Sequence, residues 1–190
     1  IEAADRAGRK LMIAHVWRSD AEMNWLRGNV LSGRLGQPCR ARIHGVSKNW
    51  GPERGSWRAD KAQSGGGPVA DVAIHGIDAL HFVFGDGIRP RRVFATTANH
   101  YHKFTVEDTA TIMVEYDNGM TCVTDAGWYS RTINSPHGAL EIFGTGGYAR
   151  MLPAEVHAEV NGEWTVETPA SPRPEHIYFE MYVEQMQNFV

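Results

Sequence analysis

Three ionisable side chains share one stripe of a segment that is otherwise largely apolar. In GGGPVADVAIHGIDALHFVFG, residues 65–85, Asp71, His75 and Asp78 fall at i, i+4 and i+7, the spacing of one helix face. Val69, Ala70, Val72, Ala73, Ile74, Ile77, Ala79, Leu80, Val83 and Phe84 take up most of the remaining circumference, and a helix apolar nearly all round is a buried one. Burying carboxylates and an imidazole is costly unless they are paired or used. Each residue alone has a plain structural reading: Asp71 favours the helix dipole, His75 is a hydrogen-bonded core histidine, Asp78 accepts a backbone bond. Three on one stripe, behind a glycine run that permits close backbone approach, point to a reaction site. The matching chemistry is alcohol oxidation, in which a base takes the hydroxyl proton as hydride leaves the carbon, and imidazole is the side chain best suited to that near neutral pH. His75 is read as the acid/base, Asp71 as the carboxylate orienting it or the substrate, and Asp78 as a ligand for a substrate hydroxyl. The same donors would also suit iron, manganese or zinc, an alternative that metal analysis decides.

These residues need a helix and a scaffold. Pro68 suits the first helical position, where its missing N–H costs nothing. Upstream, PCRARIHGVSK (38–48) alternates as a half-buried strand, with Arg40, Arg42, His44 and Lys48 on one face. It runs into a polar loop, 49–64, carrying Trp50 and Trp57. His44, Lys48 and Trp50 are candidate substrate contacts, Trp50 by stacking on a sugar face; an exposed strand edge is the equal alternative. Trp128 is a further candidate for the pocket, against ordinary strand packing. Residues 2–9 read as a helix end with Gly8 at its C-cap. LMIAHVWR (11–18) reads as a short buried strand whose end carries His15 and Arg18, candidate cofactor contacts; Arg18 is able to touch a cofactor phosphate, against the plainer reading of a solvated arginine at a helix start. Asp20 is placed to cap a helix over 21–32 with Trp25, Leu26, Val30 and Leu31 inward.

Beyond Gly85 the pattern changes. RRVFATTANHY, TATIMVEYD, MTCVTDAGWYS, ALEIFG and YARML are strand-like, and AEVHAEV and EWTVET form a hairpin through Asn161-Gly162. HIYFEMYVEQMQNFV is helical again. Strands in runs with helices at both ends imply an α+β fold with a largely antiparallel sheet. Gly144-Thr-Gly-Gly-Tyr-Ala149 fits G-x-G-x-x-A superficially, but strand and proline follow it in place of a helix, so it is read as a hairpin turn. His100 and His102 lack ligand partners at zinc spacing and are read as surface or interface residues.

The composition is ordinary for a globular chain: 190 residues, 42% hydrophobic, net charge -3. No basic stripe calls for nucleic acid, and no apolar run reaches the ~20 residues of a membrane helix. Cys39 and Cys122, far apart in apolar surroundings, read as reduced core residues of a cytoplasmic protein. Both ends stand inside helix-like stretches, so the chain reads as part of a longer protein.

The glycine–Asp–His–Asp segment resembles the signature of the glucose-fructose oxidoreductase / inositol dehydrogenase / rhizopine-catabolism (Gfo/Idh/MocA) family: Gly65–Gly67, Asp71, His75 and Asp78 match it. AGRKLMIAHVWRSDAEMNWLR resembles the last helix and strand of that family's nucleotide domain and the crossover beyond, VEDTATIMVEYDNGMTCVTDAGW its central strands, and GALEIFGTGGYARM the hairpin after them. The resemblance implies residues 1–18 as the end of a Rossmann domain and 19–190 as a substrate-binding and oligomerising α+β domain. That domain would carry an open, mostly antiparallel sheet with helices on one face, like the C-terminal domain of dihydrodipicolinate reductase. It implies NAD or NADP as cofactor, bound mainly by a half not represented here, and a sugar, inositol or related polyol as substrate. It implies catalytic roles for Asp71 and His75, substrate contact for Asp78, and a homo-oligomer, dimer or tetramer, built through the sheet. The family's glycine-rich fingerprint and Glu-Lys-Pro motif are not in this sequence, so the chain alone is expected to be inactive. Two other readings stand beside it: NAD-dependent glycoside cleavage within the same family, and a non-catalytic binding or oligomerisation module.

Overall fold

Alternating sequence in the second half of the chain becomes one eight-stranded sheet in the computed structural model, which describes residues 1–46, 51–53, 55–130, 139–170 and 177–190. Its strands are β1 (Pro38–Val46), β2 (Pro90–Ala98), β3 (Thr109–Tyr116), β4 (Thr121–Gly127), β5 (Ala139–Gly144), β6 (Gly147–Met151), β7 (Ala154–Val160) and β8 (Glu163–Glu167). They lie in the order β2-β3-β4-β1-β5-β6-β7-β8. Only β1 and β4 pair in parallel, Arg40 opposite Thr121 through Val46 opposite Gly127; every other neighbour is antiparallel. The fold is α+β with an open, mostly antiparallel sheet.

The helices are α1 (Glu2–Ala7), α2 (Ala21–Leu31), α3 (Lys61–Ser64), α4 (Ile74–Phe84) and α5 (Ile177–Phe189). Asp20 caps α2, its side chain accepting from the Glu22 N–H at 3.1 Å. Met23 and Leu26 of α2 and Ala79, Leu80 and Val83 of α4 meet one face of the sheet: Ala41 and Ile43 of β1, Cys122 of β4, Leu140 and Ile142 of β5, Val156 of β7. This is the core. Successive strand residues point to opposite faces, so Arg40, Arg42 and His44 lie on the far, open face, as their alternation required. The Asn161-Gly162 turn has both residues at positive φ, the type I′ geometry that suits a two-residue hairpin.

Several expectations are corrected. Residues 11–15 form no strand; Leu11 and Ile13 are exposed, because no neighbouring strand among the described residues offers them a ladder, and Val16–Ser19 is a 3-10 turn. Leu31, expected inward, is 54% exposed at the frayed last position of α2. Cys39 is exposed whereas Cys122 is buried; the pairing of β1 with β5 shifts register between Pro38 and Arg40, which takes Cys39 out of the buried alternation. The 49–64 loop contains a 3-10 turn, Trp57–Ala59, and α3. The apolar helix does not begin as α: Val69–Ala73 is a π-turn leading into α4.

Candidate functional site

The glycine run ahead of the π-turn is shaped by Glu107, which precedes β3. A Cβ on Gly67 would lie 1.9 Å from the Glu107 carbonyl oxygen, so only glycine fits there. The same glutamate's Oε1 accepts from the N–H of Gly67 at 2.9 Å and of Val69 at 3.4 Å. A carboxylate at the opening of the helix satisfies orphan donors and favours the dipole. Gly65 has a different task, ending α3 in the left-handed conformation at φ 79°.

Asp71 projects from the π-turn, a distortion that recurs at functional sites. Its Oδ2 accepts from the Arg58 guanidinium and from the Trp128 indole Nε1 at 2.8 Å. Oδ1 takes no donor among the described residues. Arg58 arrives from the 3-10 turn Trp57–Ala59 and also lies over the Trp128 ring, 6.0 Å from its centroid. A cleft of about 80 Å³ opens beside them, bordered by Trp57, Arg58, Ser64 and Asp71. Trp57 is exposed and Asp71 half-buried. His75 follows one turn later, also half-buried.

Trp128 is held from behind. It is fully buried, and its N–H donates to the Asp108 carbonyl at 3.2 Å. Asp108 is itself completely enclosed. Its Oδ1 accepts from the His100 N–H (2.9 Å) and the Thr109 hydroxyl (3.0 Å), and its Oδ2 from the N–H groups of Tyr101 (2.7 Å) and His102 (3.1 Å). Burial raises this carboxyl's pKa, but the four donors outweigh that and leave it below its ordinary value. The loop so ordered stacks His102 on Phe104 (4.9 Å between centroids) and on Tyr129 (4.1 Å), while Phe104 meets Trp128 edge-on. An aromatic wall thus backs the Asp71 carboxylate.

The sequence-based candidates are distributed unevenly. Asp78 is enclosed and bound by Arg18, with His15 nearby, Nδ1 to Oδ2 3.5 Å. Arg18 and His15, expected at a cofactor, therefore gather on Asp78. Below them His81, whose pKa burial lowers, faces the Tyr116 hydroxyl at 3.4 Å, and burial raises that phenol to about 12. Trp128, expected to meet substrate, is buried in the wall of the Asp71 cleft and gives its indole N–H to that carboxylate. His44 is not brought to the carboxylates: Ile43 packs toward α4, so strand alternation turns His44 to the opposite face. Lys48 and Trp50 lie outside the described residues. His100 and His102 are loop residues held through their backbones by Asp108. Among the described residues no three His, Cys, Asp or Glu side chains are grouped to hold a metal ion. Arg58, Glu107 and Asp108 were not anticipated; a Trp-Arg pair in a polar loop and two acids ahead of a strand were the available signals.

A sequence model of the GFO/IDH/MocA C-terminal domain matches residues 24–150. The chain belongs to the GFO/IDH/MocA family. Relatives within and around it include a D-apiose dehydrogenase from Paraburkholderia graminis, 28% identical over 186 residues that make up 92% of this chain and 45% of that protein. A 1,5-anhydro-D-fructose reductase from Ensifer adhaerens is 34% identical over 87 residues, 45% of this chain and 26% of that one. Among solved structures, an inositol dehydrogenase homolog from Azotobacter vinelandii, complexed with NAD+, superposes with a TM-score of 0.80 at 17% identity, covering 99% of this chain and 55% of the other. The chain spans about half the length of these dehydrogenase relatives. Three features of the described residues that could meet a dinucleotide's phosphates are engaged within the chain. The Gly144–Ala149 segment is the β5–β6 hairpin turn, tied to the Gly146 N–H bond with the Leu35 carbonyl. The N–H groups opening the π-turn are taken by Glu107, and the Arg18 fork by Asp78.

Proposed function

We propose that this chain is the substrate-side half of an NAD(P)-dependent sugar or polyol oxidoreductase, with His75 as its acid/base. The observation that carries the proposal is the Asp71 carboxylate. It is fixed through one oxygen by Arg58 and Trp128, keeps the other oxygen free of donors among the described residues, and borders a cleft one turn before His75. In this reading residues 1–18 end a nucleotide-binding domain, residues 19–190 form the substrate and oligomerisation domain, and the nicotinamide is held by the other half and supplies the hydride acceptor. The residues here do the rest. Asp71 Oδ1 accepts a bond from a substrate hydroxyl or aligns the His75 ring. His75 takes the hydroxyl proton as the carbinol carbon becomes a carbonyl, and returns it in the reverse direction. Trp57, exposed at the rim, offers an apolar face to a sugar ring.

Two relatives and one structural neighbour supply the first substrates to try. The full-length protein, given D-apiose, 1,5-anhydro-D-fructose and myo-inositol with NAD(H) and NADP(H) in turn, is expected to change nicotinamide absorbance with at least one sugar. No redox turnover across a broader sugar and polyol panel, with a protein that binds nicotinamide, would overturn the reading. The open sheet face and the exposed edge strand β2, which carries Val93 and Phe94, are read as the homo-oligomer surface; light scattering that returns a monomer counts against that part.

A further inference from the structure

Asp78 has its own set of partners, separate from those of Asp71. Arg18 Nε donates to Oδ2 at 2.9 Å and Nη2 to Oδ1 at 2.6 Å, so one guanidinium fork occupies both carboxylate oxygens. The Asp78 side chain is 9% exposed, the Arg18 side chain 51%. Asp78 raises the Arg18 pKa through this hydrogen bond. A carboxylate so enclosed, with both oxygens engaged, has little left for a substrate hydroxyl. Its position is informative: Asp78 stands one turn beyond His75 in α4, while Arg18 belongs to the turn Val16–Ser19, 60 residues earlier. Arg18 also lies over the Phe82 ring at 5.7 Å, and from α2 Arg27 covers the same ring at 5.0 Å and donates to the Phe82 carbonyl at 2.9 Å. The helix that carries His75 is thus fastened at Asp78 and Phe82 to the segment running from Val16 into α2.

We propose that Asp78 and Arg18 are positioning residues, a paired strut that pins the Val16–Ser19 turn to α4 and so sets where His75 stands relative to that turn. The proposal rests on the reading of His75 as the proton-transfer group. A bidentate Arg–carboxylate pair fixes both distance and angle. The carboxylate is enclosed while the guanidinium is half exposed, so the pair adds little net stability, yet removing Arg18 leaves a buried charge without its main partner. Geometry is therefore what the pair supplies.

The test is a double-mutant cycle in the full-length protein, with whichever sugar it turns over. Asp78→Asn and Arg18→Gln should each lower kcat by about 10- to 100-fold, the loss that a misplacement of ~1 Å can cause, and leave KM for the sugar unchanged. The double variant, whose two amides can still pair, should be no worse than either single. Thermal unfolding of the same four proteins without substrate should show the same non-additivity. Arg18→Lys keeps the charge but not the fork; it should fold and still lose kcat. A raised KM with kcat kept in Asp78→Asn, not mirrored by Arg18→Gln, would mean direct substrate contact and overturn the proposal. Additive losses in both readouts would overturn it as well. If His75→Ala is inactive while both single variants keep wild-type kcat, only the strut fails; if His75→Ala keeps full activity, the underlying reading of His75 fails first.

Discussion

Replacing Asp108 by asparagine tests whether one enclosed carboxylate organises the wall behind Asp71. Four donors converge on it, two on each oxygen. An amide has one acceptor oxygen and one NH2 group, so in either orientation the NH2 faces donors. The better orientation sets it against the Thr109 hydroxyl, which can turn to accept, and the His100 N–H, which cannot. One backbone bond to a charged acceptor is then lost, at about 1.5–3 kcal/mol, and the bonds from Tyr101 and His102 fall to neutral strength, about 1 kcal/mol each. The expected destabilisation is roughly 3–5 kcal/mol. Urea unfolding followed by far-UV circular dichroism reads it as a midpoint lowered by about 1.5–2.5 M at a slope near 2 kcal/mol/M, with the slope unchanged. The near-UV signal of Trp128 and Tyr129 should weaken at low urea, since His102 and Phe104 lose their fixed loop. A loss below about 1 kcal/mol would refute the reasoning, because it is no more than the average point substitution costs.

Other outcomes follow from the same geometry. Gly67→Ala places a methyl group against the Glu107 carbonyl and should cost about 3 kcal/mol by denaturation; a neutral result would mean that the glycine run is not pressed against Glu107. Trp128→Phe removes the indole donor to Asp71 and should lower kcat by about tenfold, the worth of one bond to a charged group, and should also lower the melting temperature, because the side chain is fully buried and its truncation leaves a cavity; an unchanged kcat in the folded variant would remove Trp128 from the site. Acid should destabilise the protein in two stages. The folded pKa of His81 is lowered by burial, so its contribution is complete above the unfolded value, about 6.5, and is lost as pH falls through the depressed folded value. Asp108 is also lowered, so its share is intact above the unfolded value, about 3.9, and is lost only below that. Melting temperature against pH should show both steps, and His81→Gln should remove the upper one.

The strands were readable because alternation, turn residues and the Asn161-Gly162 pair are local signals. Their order was not: β1 stands between β4 and β5, a long-range choice that no local pattern encodes. The apolar helix was legible from composition, but periodicity could not reveal the π-turn at its start. It also could not tell that residues sharing a face need not share partners. Asp71 and Asp78 are seven residues apart, about 10 Å along a helix axis, and each recruits its own arginine. Arg58 and Arg18 reach them across 13 and 60 residues, contacts set by tertiary packing. His44 followed its alternation faithfully; what the sequence lacked was which face of the sheet α4 would cover. The family's signature segment identified the helix correctly, whereas Asp108, an acid before a strand with no periodic pattern around it, gave no sign of the four donors it gathers.

The most direct test of the central claim is the turnover of His75→Ala in the full-length protein, measured with saturating sugar and nicotinamide. Loss of the proton-transfer group should lower kcat by about 10²- to 10⁴-fold, with a melting temperature and sugar KM close to those of the parent. A variant that folds, binds the sugar and turns over at the parent rate would show that the imidazole on this helix carries no proton in the reaction.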